Sequence, residues 1–303
     1  MKNSWKKICC PYTKEQLAIS ENSLVSRKFT YDIVNGVPNL ISEGQIEEVV
    51  KGEITGNSFV ETQEEKIHYA NKFETEQEHV GIYYTERDLD SIVPILKDLD
   101  HSSVLFLGVG GGMEVRRILR RGLKIEQAYC SDLVVSKCQV VPMTLKEFDI
   151  DIGVFASDMS YIPWKGTDTP VVIYQALHHL ADEYLDALSR MFSSNYENII
   201  IAEPCGNSLI AVLAKIGIAQ RAEPTGVRPA RMHLESIKKL ASSNGYETTI
   251  RTHWGVPQDY LRKLSFGSSF LEKIGLRLTS VMSSIGNQFN FGNNCVIHFK
   301  KRS

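Results

Sequence analysis

Residues 104–112 read Val-Leu-Phe-Leu-Gly-Val-Gly-Gly-Gly, an apolar strand pattern running straight into glycines, with a helical pattern from Glu114 to Arg121 behind it. Glycines at Gly108, Gly110 and Gly112 let the backbone turn sharply and let a ligand come close where a Cβ would clash. The helix beyond offers free N–H groups. The Gly-x-Gly-x-Gly spacing differs from the Gly-x-Gly-x-x-Gly of dinucleotide dehydrogenases, and a purely structural strand-to-helix turn would use the same glycines.

Asp132 lies 20 residues past Gly112 at the end of a second strand pattern, followed by Leu133. A carboxylate there can accept both hydroxyls of a ribose, or cap the next helix. Asp158 follows a third strand; it suits an adenine amino group, Met159 suits the ring face, and a turn aspartate would look the same. After a fourth strand come Gln175, His178 and His179, and after a fifth comes Glu203. Histidine titrates near neutrality and suits a general base. Adjacent residues on a helix or turn point about 100° apart, so only one of His178 and His179 is expected to face a substrate. Glu203 is the other candidate for binding or deprotonating it. Arg228 and Arg231 have the chemistry to hold a carboxylate or phosphate, though a surface charge pair would read alike.

These residues need a frame, and the apolar runs supply one. Strand patterns at 104–107, 127–130, 154–156, 171–174 and 199–202 alternate with helical patterns at 134–148, 182–193 and 233–244. Such alternation predicts a parallel sheet wrapped by helices. Residues 294–299 read as a further strand. Ahead of the sheet, residues 1–45 form a turn-rich piece in which Asn35-Gly36 predicts a hairpin. Residues 46–100 are a glutamate-rich helical lead-in over the mouth of the next domain, ending in Leu89, Ile92, Val93, Leu96 and Leu99 at helical spacing. Residues 255–293 form an insertion suited to a lid or a homodimer contact.

The 303 residues are 43% hydrophobic and carry a net charge of -2, leaving no general positive excess for neutralising phosphates. Nucleic-acid binding is therefore not expected. No apolar run approaches the roughly 18–20 residues that span a bilayer. The first ten residues lack the apolar core of a signal peptide. Six scattered cysteines fit free thiols, so a cytoplasmic protein without membrane contact is expected.

The order of glycine loop, Asp132, Asp158, His-His after strand four and Glu203-Pro204 after strand five resembles the class I S-adenosylmethionine-dependent methyltransferases, in their small-molecule branch, over about residues 80–250. The resemblance implies an α/β, Rossmann-like sheet of seven mostly parallel strands with an antiparallel last strand. It also implies S-adenosylmethionine bound by Gly108, Gly110, Gly112, Asp132, Leu133, Asp158, Met159 and Gln175, and methyl transfer to an oxygen or nitrogen of a sugar or biosynthetic intermediate. A tRNA or protein acceptor, or a non-catalytic scaffold, are the alternatives. Phe106 departs from the family, which has an acid there for the methionine end of the cofactor; backbone carbonyls near Gly108 and Gln175, or another acid, must serve instead. Cys10-Pro11-Tyr12-Thr13 followed by Tyr31 to Leu40 resembles a zinc-ribbon-like module of the methyltransferase-activator type. Thr13 replaces its second cysteine, so no metal site is expected.

Overall fold

The computed structural model describes residues 5–42, 62, 64–67, 79–206, 231–254, parts of 268–281, and 292–302. The insertion at 255–293 and the acidic stretch before α1 thus lie largely outside the described residues. No helix among the described residues is long and apolar enough to cross a membrane.

Apolar runs buried on both sides build the centre. Strands β5 (Ser103–Leu107), β6 (Gln127–Asp132), β7 (Asp151–Ala156), β8 (Val171–Tyr174) and β9 (Asn198–Pro204) run parallel. Near-continuous Val, Ile and Leu suit a sheet covered on both faces. The order is β10-β11-β9-β8-β5-β6-β7, with β10 (Tyr246–His253) and β11 (Asn294–Lys301) antiparallel to their neighbours. This is the expected seven-stranded, mostly parallel sheet. β10 is the one strand of this sheet that the apolar pattern did not announce.

Side chains alternate between two cores, as the strand period requires. Val104, Phe106, Cys130, Val172 and Ile200 face α1 (His79–Leu99), α2 (Met113–Arg120) and α3 (Val135–Thr144). Leu105, Leu107, Tyr129, Ile173 and Ile201 face α4 (Tyr184–Ser193) and α5 (Leu234–Ser243). Phe106 therefore fills the α1 side of the core and is 2% exposed. Leu89, Ile92, Val93 and Leu96 bury the α1 stripe against the same face. The helix lies on the sheet because that stripe needs an apolar partner.

The N-terminal piece forms an antiparallel sheet of β1 (Ala18–Ser20), β2 (Ser23–Val25), β3 (Thr30–Val34) and β4 (Val37–Pro38). Asn35 and Gly36 turn between β3 and β4 at φ of +50° and +80°, the hairpin geometry anticipated from their types. The piece is stitched to the large sheet: Leu40 donates its N–H to the Ala156 carbonyl at the tip of β7, and Cys9 to that of Pro163. Ile8, Leu17, Leu24, Tyr31 and Leu40 share one core with Phe155 and Trp164. Both Cys9 and Cys10 are buried free thiols, and Cys10 Sγ lies 3.2 Å from Tyr31 Oη.

Trp164 joins the two parts. Its ring lies 4.2 Å from that of Tyr129 and stacks at 6.4 Å on Phe155, while its backbone bridges to Ile8. Trp164→Ala should lower unfolding free energy by about 3–5 kcal/mol, with one transition for the whole chain in urea. A loss below about 1 kcal/mol, or two separated transitions, would show that the parts do not share a core.

Candidate functional site

Chain order places an opening at the carboxyl ends of the parallel strands. From β5 the chain moves outward to β6 and β7, then crosses to β8 on the other side of β5. The point between β5 and β8, where the winding reverses, is where open α/β sheets leave a crevice. A cleft of about 210 Å³ lies there, lined by Gly108, Gly110, Asp132, Leu133, Asp158, Met159, Gln175 and His179 among others.

The glycine loop is built by φ values that L side chains avoid. Gly108 has φ +67° and Gly110 φ +53°. A Cβ on Gly108 would sit 2.2 Å from the Ala176 Cβ, so only glycine lets the β5 and β8 loops meet. Gly112, at φ +86°, does not line the cleft. It precedes α2, and a Cβ there would meet Val141 at 3.3 Å, so its smallness serves the packing of α2 on α3.

Asp132 locks the loop. Its Oδ2 accepts from the Gly110 N–H at 2.8 Å and its Oδ1 from the Val134 N–H at 3.0 Å. An ionised carboxylate has about four lone-pair sites, so these two bonds leave room for further donors. Ser131 and Ser157 join the ends of β6 and β7 by an Oγ–Oγ bond of 2.7 Å. Asp158 Oδ1 accepts from the Ser160 N–H at 2.7 Å, capping a short 3₁₀ turn, and the residue still borders the cleft with Met159. Val134, Lys137, Ser157, Ala176 and Leu180 complete the lining without having been singled out as site residues.

On the other wall the two histidines part. His179 lines the cleft. His178 is buried, its Nδ1 2.6 Å from Glu203 Oε2. A carboxylate only accepts, so the Nδ1 proton is assigned to His178. Glu203 Oε1 accepts from the N–H groups of Ala176 (2.8 Å) and Leu177 (2.6 Å). Both oxygens thus hold the turn after β8, and Glu203 is not among the lining residues. The same turn keeps Gln175 at φ +45°, an unusual value for a residue with a Cβ, while the Gln175 N–H reaches the Ala202 carbonyl at 2.8 Å. Arg231 lies beside Gly206 beyond β9 rather than in the cleft, and its burial lowers its pKa. Arg228 lies outside the described residues.

No family model matches the sequence, and no curated protein matches it. Solved structures do resemble it. Magnesium protoporphyrin IX methyltransferase from Synechocystis PCC 6803, crystallised with SAH, superposes with a TM-score of 0.53 at 16% identity, covering 82% of this chain and 99% of that one. The same enzyme with SAM gives 0.50 at 13%, over 86% and 100%. The YcgJ protein of Bacillus subtilis gives 0.51 at 13%, over 72% and 99%. The fold is that of the class I methyltransferases. Nearly the whole of each of those chains finds its counterpart here.

Within this methyltransferase fold, Glu203 is the tie on which the β8 turn depends. Glu203→Ala should cost about 1–3 kcal/mol for each buried amide left without an acceptor, read by denaturant unfolding. A total loss under about 1 kcal/mol would mean that the turn stands without the carboxylate.

Proposed function

We propose that this protein is an S-adenosylmethionine-dependent methyltransferase acting on an oxygen or nitrogen of a small molecule. The observation that carries this reading is the Asp132-locked glycine loop at the switch point of the sheet, facing Asp158, Met159 and Gln175 across one cleft. That donor set fits the ligand. Asp132 would take the ribose hydroxyls on its remaining lone pairs. Asp158 would accept from the adenine amino group, with Met159 against the ring, and Leu133 would flank it. Gly108 and Gly110 let the ligand's chain approach the backbone, and Gln175 would meet its amino-acid end. The net charge of -2 supports a small acceptor over tRNA. The N-terminal sheet, in this reading, is a module of the methyltransferase-activator type that has kept its packing role without a metal.

When bound, S-adenosylmethionine supplies a methyl group on a positively charged sulfur. The chain's task is to align a nucleophile with that methyl and, for a hydroxyl, to take its proton. His179, on the cleft wall, is the residue placed for the proton. His178 and Glu203 act one layer behind, holding the turn on which His179 sits. The cleft walls from β5 and β8 fix the approach.

Isothermal calorimetry with S-adenosylhomocysteine tests the cofactor assignment. Wild-type protein should bind it, and Gly110→Val should abolish binding, because a branched side chain cannot hold φ +53° and would fill the ligand's path. Equal affinity in the two proteins would overturn the assignment to this loop.

The base has its own test once an acceptor is found by screening hydroxyl- and amine-bearing metabolites for S-adenosylhomocysteine release. For a hydroxyl acceptor, His179→Gln should lower kcat by about 10²–10⁴-fold with little change in substrate affinity. It should also remove a rise in rate with pH near histidine's pKa. A near-normal rate with an unchanged profile would exclude His179 as the base.

A further inference from the structure

Behind the cleft lies a buried acid–base pair that methyl transfer, as described above, does not use. Asp88 on α1 is 2% exposed and His253 at the end of β10 is 5% exposed. His253 Nε2 stands 3.2 Å from Asp88 Oδ1, close by but without the geometry of a hydrogen bond. The other carboxyl oxygen, Oδ2, accepts from Gln175 Nε2 at 3.4 Å, and that nitrogen also lies 3.4 Å from Tyr174 Oη. Gln175 itself lines the cleft. Asp88 is therefore one hydrogen bond behind the cleft wall, with no ligand contact of its own.

Stability alone does not account for this arrangement. A buried ion or ion pair is often no more stabilising than apolar residues of the same volume. Asp88 sits on the apolar stripe of α1, four residues before Ile92, where an aliphatic side chain would pack against the sheet. What the carboxylate does that a leucine could not is turn the Gln175 amide. An ionised carboxylate only accepts, so the –NH₂ end of Gln175 faces Asp88 and Tyr174. Gln175 Oε1 is the end left without a partner among the described residues. It is an acceptor, backed by a negative charge.

We infer that Asp88, lying beside His253, is a positioning residue that orients Gln175 and makes this end of the cleft select a cationic group, an ammonium on the bound ligand. This rests on the cofactor reading above only for the identity of the ligand that carries the ammonium. The groups around Asp88 come from every neighbouring element: Tyr174 and Gln175 from β8 and its turn, Glu203 from β9, His253 from β10 and Cys295 from β11, with Arg87 beside it acting on His253. Burial, with the Glu203 charge adding to it, pushes Asp88 up to about 7 against the pull of its Tyr174 and Gln175 hydrogen bonds. Burial, with Arg87 adding to it, pushes His253 down to about 4. His253 thus stays neutral through the physiological range, while Asp88 loses its proton as pH rises through neutrality. The cation site should be weak below that point and strong above it.

Two measurements test this, one with ligand and one without. By calorimetry, the affinity of the wild-type protein for S-adenosylhomocysteine should fall about tenfold from pH 8 to pH 6, the change in ionised fraction for a pKa near 7 if only that form binds. The analogue lacking the amino group should show a flat profile. Asp88→Asn, which keeps the shape, should bind S-adenosylhomocysteine more weakly at pH 8 than the wild type does at pH 6, a loss of more than about tenfold, and should lose the pH dependence. A wild-type affinity and profile in Asp88→Asn, or the same profile for the deamino analogue, would overturn the inference. Without ligand, the Gln175 side-chain amide resonances, identified by their loss in Gln175→Leu, should titrate near neutrality in the wild type and not in Asp88→Asn. Resonances that stay fixed from pH 5.5 to 8.5, or that move equally in both proteins, would also overturn it. If Asp88→Asn does not fold, His253→Asn should displace the midpoint of the Gln175 titration, and an unmoved midpoint refutes the pairing. Failure of the wild-type protein to bind S-adenosylhomocysteine would sink the cofactor reading by itself, and the amide titration would still decide the role of Asp88.

Discussion

The cleft depends on one buried carboxylate. Glu203, at the end of β9, accepts two backbone N–H groups and the His178 ring from the turn that follows β8. Taking a charge out of water costs several kcal/mol. Three short hydrogen bonds to one carboxylate offset that cost and fix where the turn can lie. Its position in turn fixes Gln175, Ala176 and His179, three residues of the cleft wall. A softer tie would let the wall drift, and a cleft that drifts cannot align two reacting atoms.

The opposite wall is tied as tightly by different means. Asp132 fastens Gly110, and the absence of a side chain at Gly108 lets Ala176 close in. The two walls meet at that contact, so backbone shape on the β5 side and side-chain bonding on the β9 side define a single opening. The helices on both faces hold the strands that carry these ties, with Phe106 and Val172 on one side and Leu105 and Ile173 on the other. Phe106 belongs wholly to this packing.

How much of this could be read from residues alone follows from the strength of each local signal. The parallel strands β5, β8 and β9 are buried on both faces and show as apolar runs, and β6 and β7 carry shorter ones. β10 is an edge strand, Tyr-Glu-Thr-Thr-Ile-Arg-Thr-His, whose polar residues hide its period. The helix after β6 stops at Thr144 rather than 148: Leu145 is its C-cap, and the chain beyond it turns, with the Phe148 N–H bonded to the Leu145 carbonyl. In the site, Asp132, Asp158 and the glycines stand at strand ends, where position alone signals a role. Glu203 and His178 stand there too, yet their bonding to backbone is a tertiary fact that spacing does not show. Gly112 is alike in type to Gly108 and differs only in what lies beside it. Asp88 had a signal that went unread: a charged residue in register with Ile92 and Leu99 on an apolar stripe.

The last strand has a consequence for how the chain is made. β11 lies between β9 and β10, and its residues 294–300 pair with 198–204. During synthesis β9 leaves the ribosome some ninety residues before its partner does. Until then the sheet ends on an apolar strand with open backbone groups, the kind of edge that recruits other chains. The turn carrying the cleft wall hangs from that same β9 through Glu203. The wall of the cleft thus hangs from a strand whose second neighbour is made only after everything that lines the opening.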